Sequence, residues 1–458
     1  MKIVICGAGE VGSSIAKYLS DQGGNLTVID QDAALARQVS ESLDVTAVIG
    51  HASHPDVLER AGIRDADMII AVTYSDEVNM VACEIAHSLF KVPTKIARIR
   101  SQVYLQPMWA DLYTNNAIPI DVIISPEVEV ARAVKRRIET PGATDVISLA
   151  DDRVRLVGVR CTADTPIVNT PLRQLTGLFP EMKIVVVGIK RGDRVMVPRA
   201  DDEMFPGDDV YFVVASDQCQ RALSAFGHEE PATRRAVILG GGNIGLFLAQ
   251  QLEKDHPEIN VKIVELDRER AEFLAQTLSR VTVLNGDVMS PEILDEAGAS
   301  SAETVIAVTQ QDETNILSSL LAKRKGAERV ITLINKSGYN SLVANLGIDV
   351  VVNPRSITVS RILQHVRRGR IHSVYSVQDD FGELIEAEAM QTSGLVGKPL
   401  RELNLPTGTR IGALIRKGQV IVPRADTAVE GGDRIIIFAA KDAVKKVEKL
   451  FSVRLEFF

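Results

Sequence analysis

Cysteine is scarce in this chain, and its four copies, Cys6, Cys83, Cys161 and Cys219, stand far apart with no Cys-x-x-Cys spacing. That arrangement excludes a disulfide framework and a thiolate metal centre, and predicts reduced core thiols in a cytoplasmic protein. Histidine is nearly as rare, with seven residues and no HExxH pattern, and no Tyr-x-x-x-Lys occurs. Long apolar runs are missing as well: nothing approaches the ~18 residues of a membrane span. Positive charge is never concentrated beyond Lys135-Arg136-Arg137 and Lys323-Arg324-Lys325, and the net charge is −8. Nucleic acid is therefore not an expected partner. What remains is the composition of a globular protein, 45% apolar and 24% charged. A chain of 458 residues is too long for a single core, and such a length predicts about three or four domains.

Against this background two glycine-rich segments stand out. Gly7-Ala8-Gly9-Glu10-Val11-Gly12 follows the apolar run Lys2–Cys6, and Gly240-Gly241-Gly242-Asn243-Ile244-Gly245 follows Ala236–Leu239. Each is followed by a helix-like run and then by a second apolar run ending in an acid, Asp30 or Glu265, which lies 18 or 20 residues past the last glycine. One such loop is a weak signal, whereas two in the right context describe two dinucleotide-binding units. The glycines tighten the turn and let a pyrophosphate approach the backbone, where free N–H groups at a helix start face the anion. The acid would accept hydrogen bonds from ribose hydroxyls and repel a 2′-phosphate, which favours NAD over NADP.

The repeat extends well beyond the loops. Ile69–Asn79 recurs as Val305–Asn315, and Ile120–Pro126 recurs as Ile348–Pro354. Each unit reads as alternating strands and helices, a doubly wound parallel sheet of the Rossmann type. A smaller β-rich module follows each one, carrying Val197-Pro198-Arg199-Ala200-Asp201 and Pro206–Val214 in the first half and Val422-Pro423-Arg424-Ala425-Asp426 and Gly431–Phe438 in the second. Arg191-Gly192-Asp193 and Lys417-Gly418-Gln419 are hairpin-turn candidates. The expected domains are 1–138, 139–227, 234–368 and 369–458, an α/β fold class with two Rossmann-like domains and two α+β modules. Ser125-Pro126 and Asn353-Pro354 each announce a helix. In the first of these, Val130, Val134 and Ile138 form an apolar stripe suited to core packing or to a partner subunit.

Each Rossmann-like unit is followed by its β-rich module, and the first unit carries Gly50-His51-Ala52-Ser53-His54-Pro55, Ala71-Val72-Thr73-Tyr74-Ser75-Asp76-Glu77 and Ile96-Ala97-Arg98-Ile99-Arg100. By that order and those motifs the whole chain resembles the cytoplasmic regulatory subunits of Trk-type potassium uptake systems, which carry two tandem regulator-of-potassium-conductance units. The resemblance implies a non-enzymatic gating ring, a homo-oligomer built as a tetramer of eight units, lying against the inner face of the membrane beneath a potassium-translocating subunit. The implied ligands are NAD or NADH, with ATP and ADP as further candidates. Mapped onto matching positions, Gly7, Ala8, Gly9, Glu10, Val11 and Gly12 form the pyrophosphate loop, Asp30 holds the ribose and His51 lines the cleft. Thr73 and Tyr74 approach the ligand, and Arg98 neutralises a phosphate. In the second unit Gly240, Gly241, Gly242, Asn243, Ile244, Gly245, Glu265, Asp287, Thr309 and Gln310 take the corresponding places. There Arg98-Ile99-Arg100 becomes Leu333-Ile334-Asn335, with only Lys336 nearby, so the two sites are expected to differ.

The rival readings are an NAD-dependent oxidoreductase and a ligand-binding scaffold without a gating role. An oxidoreductase needs an acid–base group beside the nicotinamide and a separate substrate pocket. The His51 and His54 pair has no histidine counterpart in the second unit, and Ser-x-x-Lys at Ser14–Lys17 and Ser88–Lys91 falls in helix-like runs. The Arg199-Ala200-Asp201 and Arg424-Ala425-Asp426 segments read as solvated turns or, alternatively, as a polar effector site.

Overall fold

The computed structural model describes the whole chain except residues 22, 115–116, 179–183, 193, 344–345, 367–370, 378–381 and 452–458. The expected boundary at Arg368-Gly369-Arg370 lies outside the described residues. The apolar runs of the first unit form β1 (Lys2–Cys6), β2 (Asn25–Asp30), β3 (Thr46–Ile49), β4 (Met68–Ala71), β5 (Thr94–Arg98) and β6 (Val122–Ile124). They pair in parallel, in the order β3-β2-β1-β4-β5-β6. Ile3, Val4, Ile5 and Cys6 are all sealed from solvent, as a strand covered on both faces must be. The returning helices are α1 (Glu10–Asp21), α2 (Ala33–Ser42), α3 (Pro55–Arg60) and α4 (Asp76–Ser88). Side chains cap two of them: Asp32 accepts from the Ala34 and Leu35 amides, and Ser75 from that of Val78. Between β5 and β6 the alternating pattern predicts another helix, but two 3-10 turns, Gln102–Leu105 and Pro107–Tyr113, stand there instead. A proline at 107 supplies no N–H to carry an α-helical ladder past that point. After β6, α5 (Pro126–Ile138) starts at Ser125-Pro126.

The first β-rich module contains β7 (Asp145–Leu149), β8 (Val154–Arg160), β9 (Ile184–Arg191), β10 (Arg194–Met196) and β11 (Asp209–Ala215), with α6 (Leu172–Leu178) and α7 (Cys219–Ala225). The second parallel sheet comprises β12 (Arg235–Leu239), β13 (Asn260–Glu265), β14 (Thr282–Asn285), β15 (Thr304–Ala307), β16 (Arg329–Leu333) and β17 (Val350–Val352), in the same strand order as the first. Its helices are α8 (Asn243–Asp255), α9 (Arg268–Thr277), α10 (Pro291–Ala297), α11 (Asp312–Lys325), α12 (Asn340–Val343) and α13 (Pro354–Val366). The second module follows with β18 (Ile371–Val377), β19 (Gly382–Glu388), β20 (Thr409–Arg416), β21 (Gln419–Ile421), β22 (Arg434–Ala439) and α14 (Val444–Phe451).

The named strands of both modules pair antiparallel. In the second, Lys417 and Gly418 both have positive φ, so the β20–β21 hairpin turns as its Lys-Gly pair predicts. In the first, Arg191 pairs with Arg194 across the corresponding turn, of which Asp193 lies outside the described residues. The aspartate that ends each glycine turn is buried and grips an arginine through both oxygens. Asp208 meets Arg191 at 2.9 and 2.8 Å, and Asp433 meets Arg416 at 2.9 and 2.7 Å. A forked pair of this kind fixes geometry as well as charge. The Arg-Ala-Asp segments are exposed turns; Asp201 pairs with Arg173, from α6, and not with Arg199 in its own segment.

Contacts divide the chain into two compact units. The first takes Met1–Glu129 and, from the far end of the chain, the body of α13. Ile362, Leu363 and Val366 of α13 share one buried cluster with Ile3, Ile5, Ile15, Leu19, Met68, Ile70 and Ile96, so a helix that follows the second sheet covers the first. The second unit takes most of α5, the second sheet and both modules. Here Val130, Val134 and Ile138 are buried, and the end of α5 is bound to the second half of the same chain. Lys135 pairs with Asp255 at the end of α8, and Arg329, at the start of β16, donates to the carbonyls of Arg137, at 2.9 Å, and Ala143. The two modules also meet within this unit. Leu149, Leu156, Val187, Tyr211 and Val213 pack with Leu384, Ala413, Ile415, Ile436 and Phe438 in one cluster. A Cβ at Gly412 would lie 2.6 Å from Val213 Cγ2, so the close approach of the two sheets requires glycine there.

All four cysteines are free and buried, and burial pushes the Cys6 thiol up to about 12, which keeps it protonated at neutral pH. No helix among the described residues is long and apolar enough to cross a membrane.

His256, just past α8, is held between two carboxylates. Its Nε2 is 2.8 Å from Glu139, beyond the end of α5, and its Nδ1 is 3.0 Å from Glu258. Burial alone would lower its pKa, but the hydrogen bonds to Glu139 and Glu258 outweigh burial and raise it. The folded state therefore favours the protonated ring. Its stabilising contribution is complete below the unfolded value of about 6.5 and is lost as pH rises through the raised folded value. Between about pH 6 and pH 8 the Tm of the wild-type chain should fall more steeply than that of His256→Gln; parallel Tm curves would show that this cluster does not couple α5 to the second sheet.

Candidate functional site

In both parallel sheets the strand order reverses between the first and fourth strands, which opens a crevice at their carboxyl ends. The glycine loop forms one lip. Gly7 has φ of 109°, and a Cβ on Gly12 would lie 1.8 Å from the Gly7 carbonyl oxygen, so the loop closes on itself only because both residues are glycine. Gly240 repeats the φ of 109°, and a Cβ on Gly245 would lie 2.1 Å from the Gly240 oxygen. Gly9 and Gly242 differ from these: a Cβ there would meet nothing within 4 Å. Glu10 and Val11 head α1, and Asn243 and Ile244 head α8, so the first backbone N–H groups of each helix belong to the lip.

The acids at the ends of the second strands organise that lip. Asp30 accepts from the Ala8 amide at 2.6 Å and the Asp32 amide at 2.8 Å. Glu265 accepts from Gly241 at 2.7 Å and Asp267 at 2.9 Å. Alanine in the first loop becomes glycine in the second, where Leu274 of α9 and then the longer acid crowd the position. A Cβ on Gly241 would lie 2.3 Å from Leu274 Cδ1 and 3.0 Å from the Glu265 carboxylate.

Opposite the glycine loop, the segment after the fourth strand is held from beneath by an asparagine. Asn79 is fully buried and accepts from the Thr73 amide at 2.9 Å and the Thr73 hydroxyl at 2.7 Å. It donates to the carbonyls of Thr73 at 3.2 Å and Arg98 at 2.9 Å. Asn315 repeats all four bonds with Thr309 and Leu333. The carboxylate of Asp76 accepts from the amides of Arg100 and Ser101, and that of Asp312 from those of Asn335 and Lys336. The Thr73 and Thr309 hydroxyls are thus committed to the wall of the crevice, while Tyr74 and Gln310 are exposed at its rim.

Charge is where the crevices diverge. In the first, Arg98 donates through Nη2 to the Thr73 carbonyl at 2.8 Å, while its buried Nε has no hydrogen-bond partner. Burial and then the neighbouring Arg100 lower the Arg98 pKa. Arg100 pairs with Glu127 at 2.9 Å, and its guanidinium carbon lies 5.7 Å from the centre of the exposed Tyr74 ring. In the second crevice Lys336 is drawn aside to Glu313 at 3.0 Å. The Tyr339 hydroxyl, the Glu313 backbone and Lys336 hold that carboxyl down to about 2. After the third strands, His51 bonds Ser53 at 2.7 Å and packs on His54 with ring centres 5.0 Å apart, whereas Asp287 accepts from the Met289 amide at 2.8 Å.

Sequence reasoning passed over Asp76, Asn79, Asp312, Asn315 and Arg270. A signal existed for the first four: in the repeated segment Thr, Asp, Glu and Asn are kept between the copies while Tyr74, Ser75 and Val78 become Gln310, Gln311 and Thr314. Arg270 has no arginine at its counterpart, so the repeat could not flag it.

Two glycines give a diagnostic contrast. Gly12→Ala should destabilise the first unit by roughly 1–3 kcal/mol, since backbone stands where its methyl must go. Gly9→Ala should fold with unchanged Tm but lose nucleotide binding at the first crevice, leaving one site per chain, because its methyl fills room open to a ligand. Thermal unfolding with and without NADH separates the two outcomes; normal NADH binding by Gly9→Ala would rule out this loop as the contact.

The TrkA-N domain model matches residues 3–126 and 236–354, and the TrkA-C domain model matches residues 156–227 and 384–452. The chain is 53% identical over 458 residues to Trk system potassium uptake protein TrkA of Azorhizobium caulinodans, with all of both chains covered. Among solved structures, the GsuK RCK domain is similar in fold at 18% identity, with a TM-score of 0.60, covering 99% of this chain and 95% of that one. A GsuK channel bound to NAD is similar at 17% identity, with a TM-score of 0.60, covering 99% of this chain and 79% of that one. With both domain models matched twice in tandem and a full-length relative above half identity, the chain belongs to the TrkA family of Trk system potassium uptake proteins.

Proposed function

We propose that this chain is a nucleotide-sensing regulatory subunit that controls potassium uptake through a Trk-type membrane subunit, and that each crevice takes an adenine nucleotide. NAD or NADH is the first candidate ligand, with ATP and ADP beside it. The observation that carries this reading is the duplicated cradle. Each loop closes only with glycines and leaves open room at Gly9 or Gly242, and each lies against an acid that aligns its backbone. This donor set fits a pyrophosphate on the loop and a ribose at the acid.

In the first unit Gly7 to Gly12 would hold the pyrophosphate and Asp30 the ribose. His51, Thr73 and Tyr74 would line the crevice, and the guanidinium of Arg98 would meet a phosphate. In the second, Gly240 to Gly245 and Glu265 hold the ligand, with Asp287, Thr309 and Gln310 around it. Both acids disfavour a 2′-phosphate. The role is regulatory and not catalytic. In support, the polar groups at the crevice wall are engaged with the backbone, and the histidine of the first crevice has no histidine counterpart in the second. The chain works as a homo-oligomeric ring, a tetramer of eight units, at the inner face of the membrane. Nucleotide occupancy shifts the ring between two shapes that the membrane subunit reads.

Asp30→Ala should weaken NADH binding at the first site roughly ten- to a hundredfold, since a hydrogen bond to a charged group contributes about 1.5–3 kcal/mol. Calorimetry giving wild-type affinity in a folded variant would overturn the ribose assignment. Regulation further requires reciprocity: if nucleotide changes affinity for the membrane subunit by a factor, that subunit changes nucleotide affinity by the same factor, typically about 5–150-fold. Measuring nucleotide affinity with and without the membrane subunit, alongside potassium flux in proteoliposomes, tests this. Equal affinities with flux indifferent to nucleotide would leave a scaffold, and steady NADH oxidation by the purified chain would make it an enzyme.

A further inference from the structure

The two crevices carry their loop-facing arginines on opposite sides of the point where the strand order reverses. In the first, Arg98 and Arg100 come from the end of β5, on the side away from Asp30. In the second, the equivalent positions are Leu333 and Asn335, the neighbouring Lys336 is held by Glu313, and an arginine comes instead from the side of Glu265. Asp267 caps α9 by accepting from the amide of Arg270, which places Arg270 in the first helical turn. Its Nε donates to the Gly241 carbonyl at 2.9 Å, and its Nη2 reaches Asn243 Oδ1 at 3.4 Å. The guanidinium therefore lies along the loop from its second glycine to the first residue of α8, with its carbon 4.9 Å from the centre of the Phe273 ring. These contacts use Nε and one donor of Nη2, so N–H groups of the fork remain to meet an anion. Asp32 and Asp267 are matching caps, and by that match the position of Arg270 is held in the first unit by Leu35.

We infer that Arg270 reads the phosphates next to the adenosine in the second crevice. This inference rests on the reading that the second unit binds an adenine nucleotide. A ligand laid across the switch point with its ribose at the acid puts its adenosine-proximal phosphates at the glycine loop and its distal part toward β5. The first crevice, with arginines at the distal end, distinguishes ligands by what they carry there. The second, with Arg270 at the proximal end and no arginine on β16 beyond its first residue, answers to the phosphates that ADP, ATP and NADH have in common. One chain thus pairs a discriminating site with one that accepts any adenine nucleotide bearing the inner phosphates.

The test uses the full-length chain with Asp30→Ala to weaken the first site, so that titration calorimetry reads the second. ADP and ATP should bind there within about threefold of each other, a difference below 1 kcal/mol. Arg270→Leu, which installs the residue of the first unit, should weaken both by similar factors of about tenfold or more, while adenosine binding stays unchanged. Arg270→Lys should recover part of the loss, since it restores the charge without the fork. Unchanged ADP affinity in Arg270→Leu would overturn the inference, as would an equal loss for adenosine, which would mark a packing role. Absence of any saturable binding to the Asp30→Ala chain with Arg270 intact would instead overturn the underlying reading that the second unit is a nucleotide site, and the inference with it.

Discussion

A buried side-chain amide offers two acceptor lone pairs and two N–H donors, and where water is excluded the protein must satisfy them itself. Asn79 and Asn315 meet that demand in full, each with four partners drawn from the segment after the fourth strand and the end of the fifth. The same four bonds that satisfy the amide tie the segment after the fourth strand to the end of the fifth, and so hold in place one wall of each crevice. The glycine loop meets this wall directly: a Cβ on Gly7 would lie 3.1 Å from the Thr73 amide nitrogen. The aspartate three residues before each asparagine ties the backbone beyond the fifth strand to the same helix start. The frame of the site is therefore polar, internal and identical in both copies, and the ligand-facing groups are free to differ.

They do differ, and the differences are of one kind. The acid grows from Asp30 to Glu265 while its loop partner shrinks from Ala8 to Gly241, so the carboxylate reaches the same backbone amide in both crevices. The arginines of β5 are absent from β16, and a cation is found on the opposite side. Both substitutions leave the scaffold unaltered and change what the crevice presents. In the modules the divergence is smaller still: Arg191 with Asp208 and Arg416 with Asp433 keep the same forked geometry. The two modules then bury their sheets against each other inside one chain.

Much of this is legible in the sequence because it is local. A glycine forced by positive φ, an acid at a strand end and a proline after a capping residue each act within a few positions of where they are seen. The repeated run from Thr73 to Asn79 was visible too, but its meaning was not. A buried asparagine and an exposed one look alike in sequence, and only the fold shows that residue 79 points inward to Thr73 and Arg98. The 3-10 turns between β5 and β6 are not legible in the strand–helix alternation, which takes no account of the N–H that Pro107 lacks. Arg270 was missed for a different reason: comparing two copies position by position finds a lost charge but not one that has moved to another element. The stripe of Val130, Val134 and Ile138 fits any apolar surface, so the sequence could say that α5 is buried without saying against what.

That ambiguity is resolved by an exchange, since the helix after the first sheet serves the second half and the helix after the second sheet serves the first. During synthesis this has a cost in time. When the first six strands have left the ribosome, the face formed by Ile3, Ile5, Met68, Ile70 and Ile96 still lacks Ile362, Leu363 and Val366. It must wait for most of the chain to be made, with apolar surface exposed to neighbouring nascent chains meanwhile. Contacts so distant in sequence are also slow to find. The exchange thus makes the halves inseparable in a way their internal symmetry conceals: a gene split between the two repeats would leave the first fragment without the helix that covers its sheet.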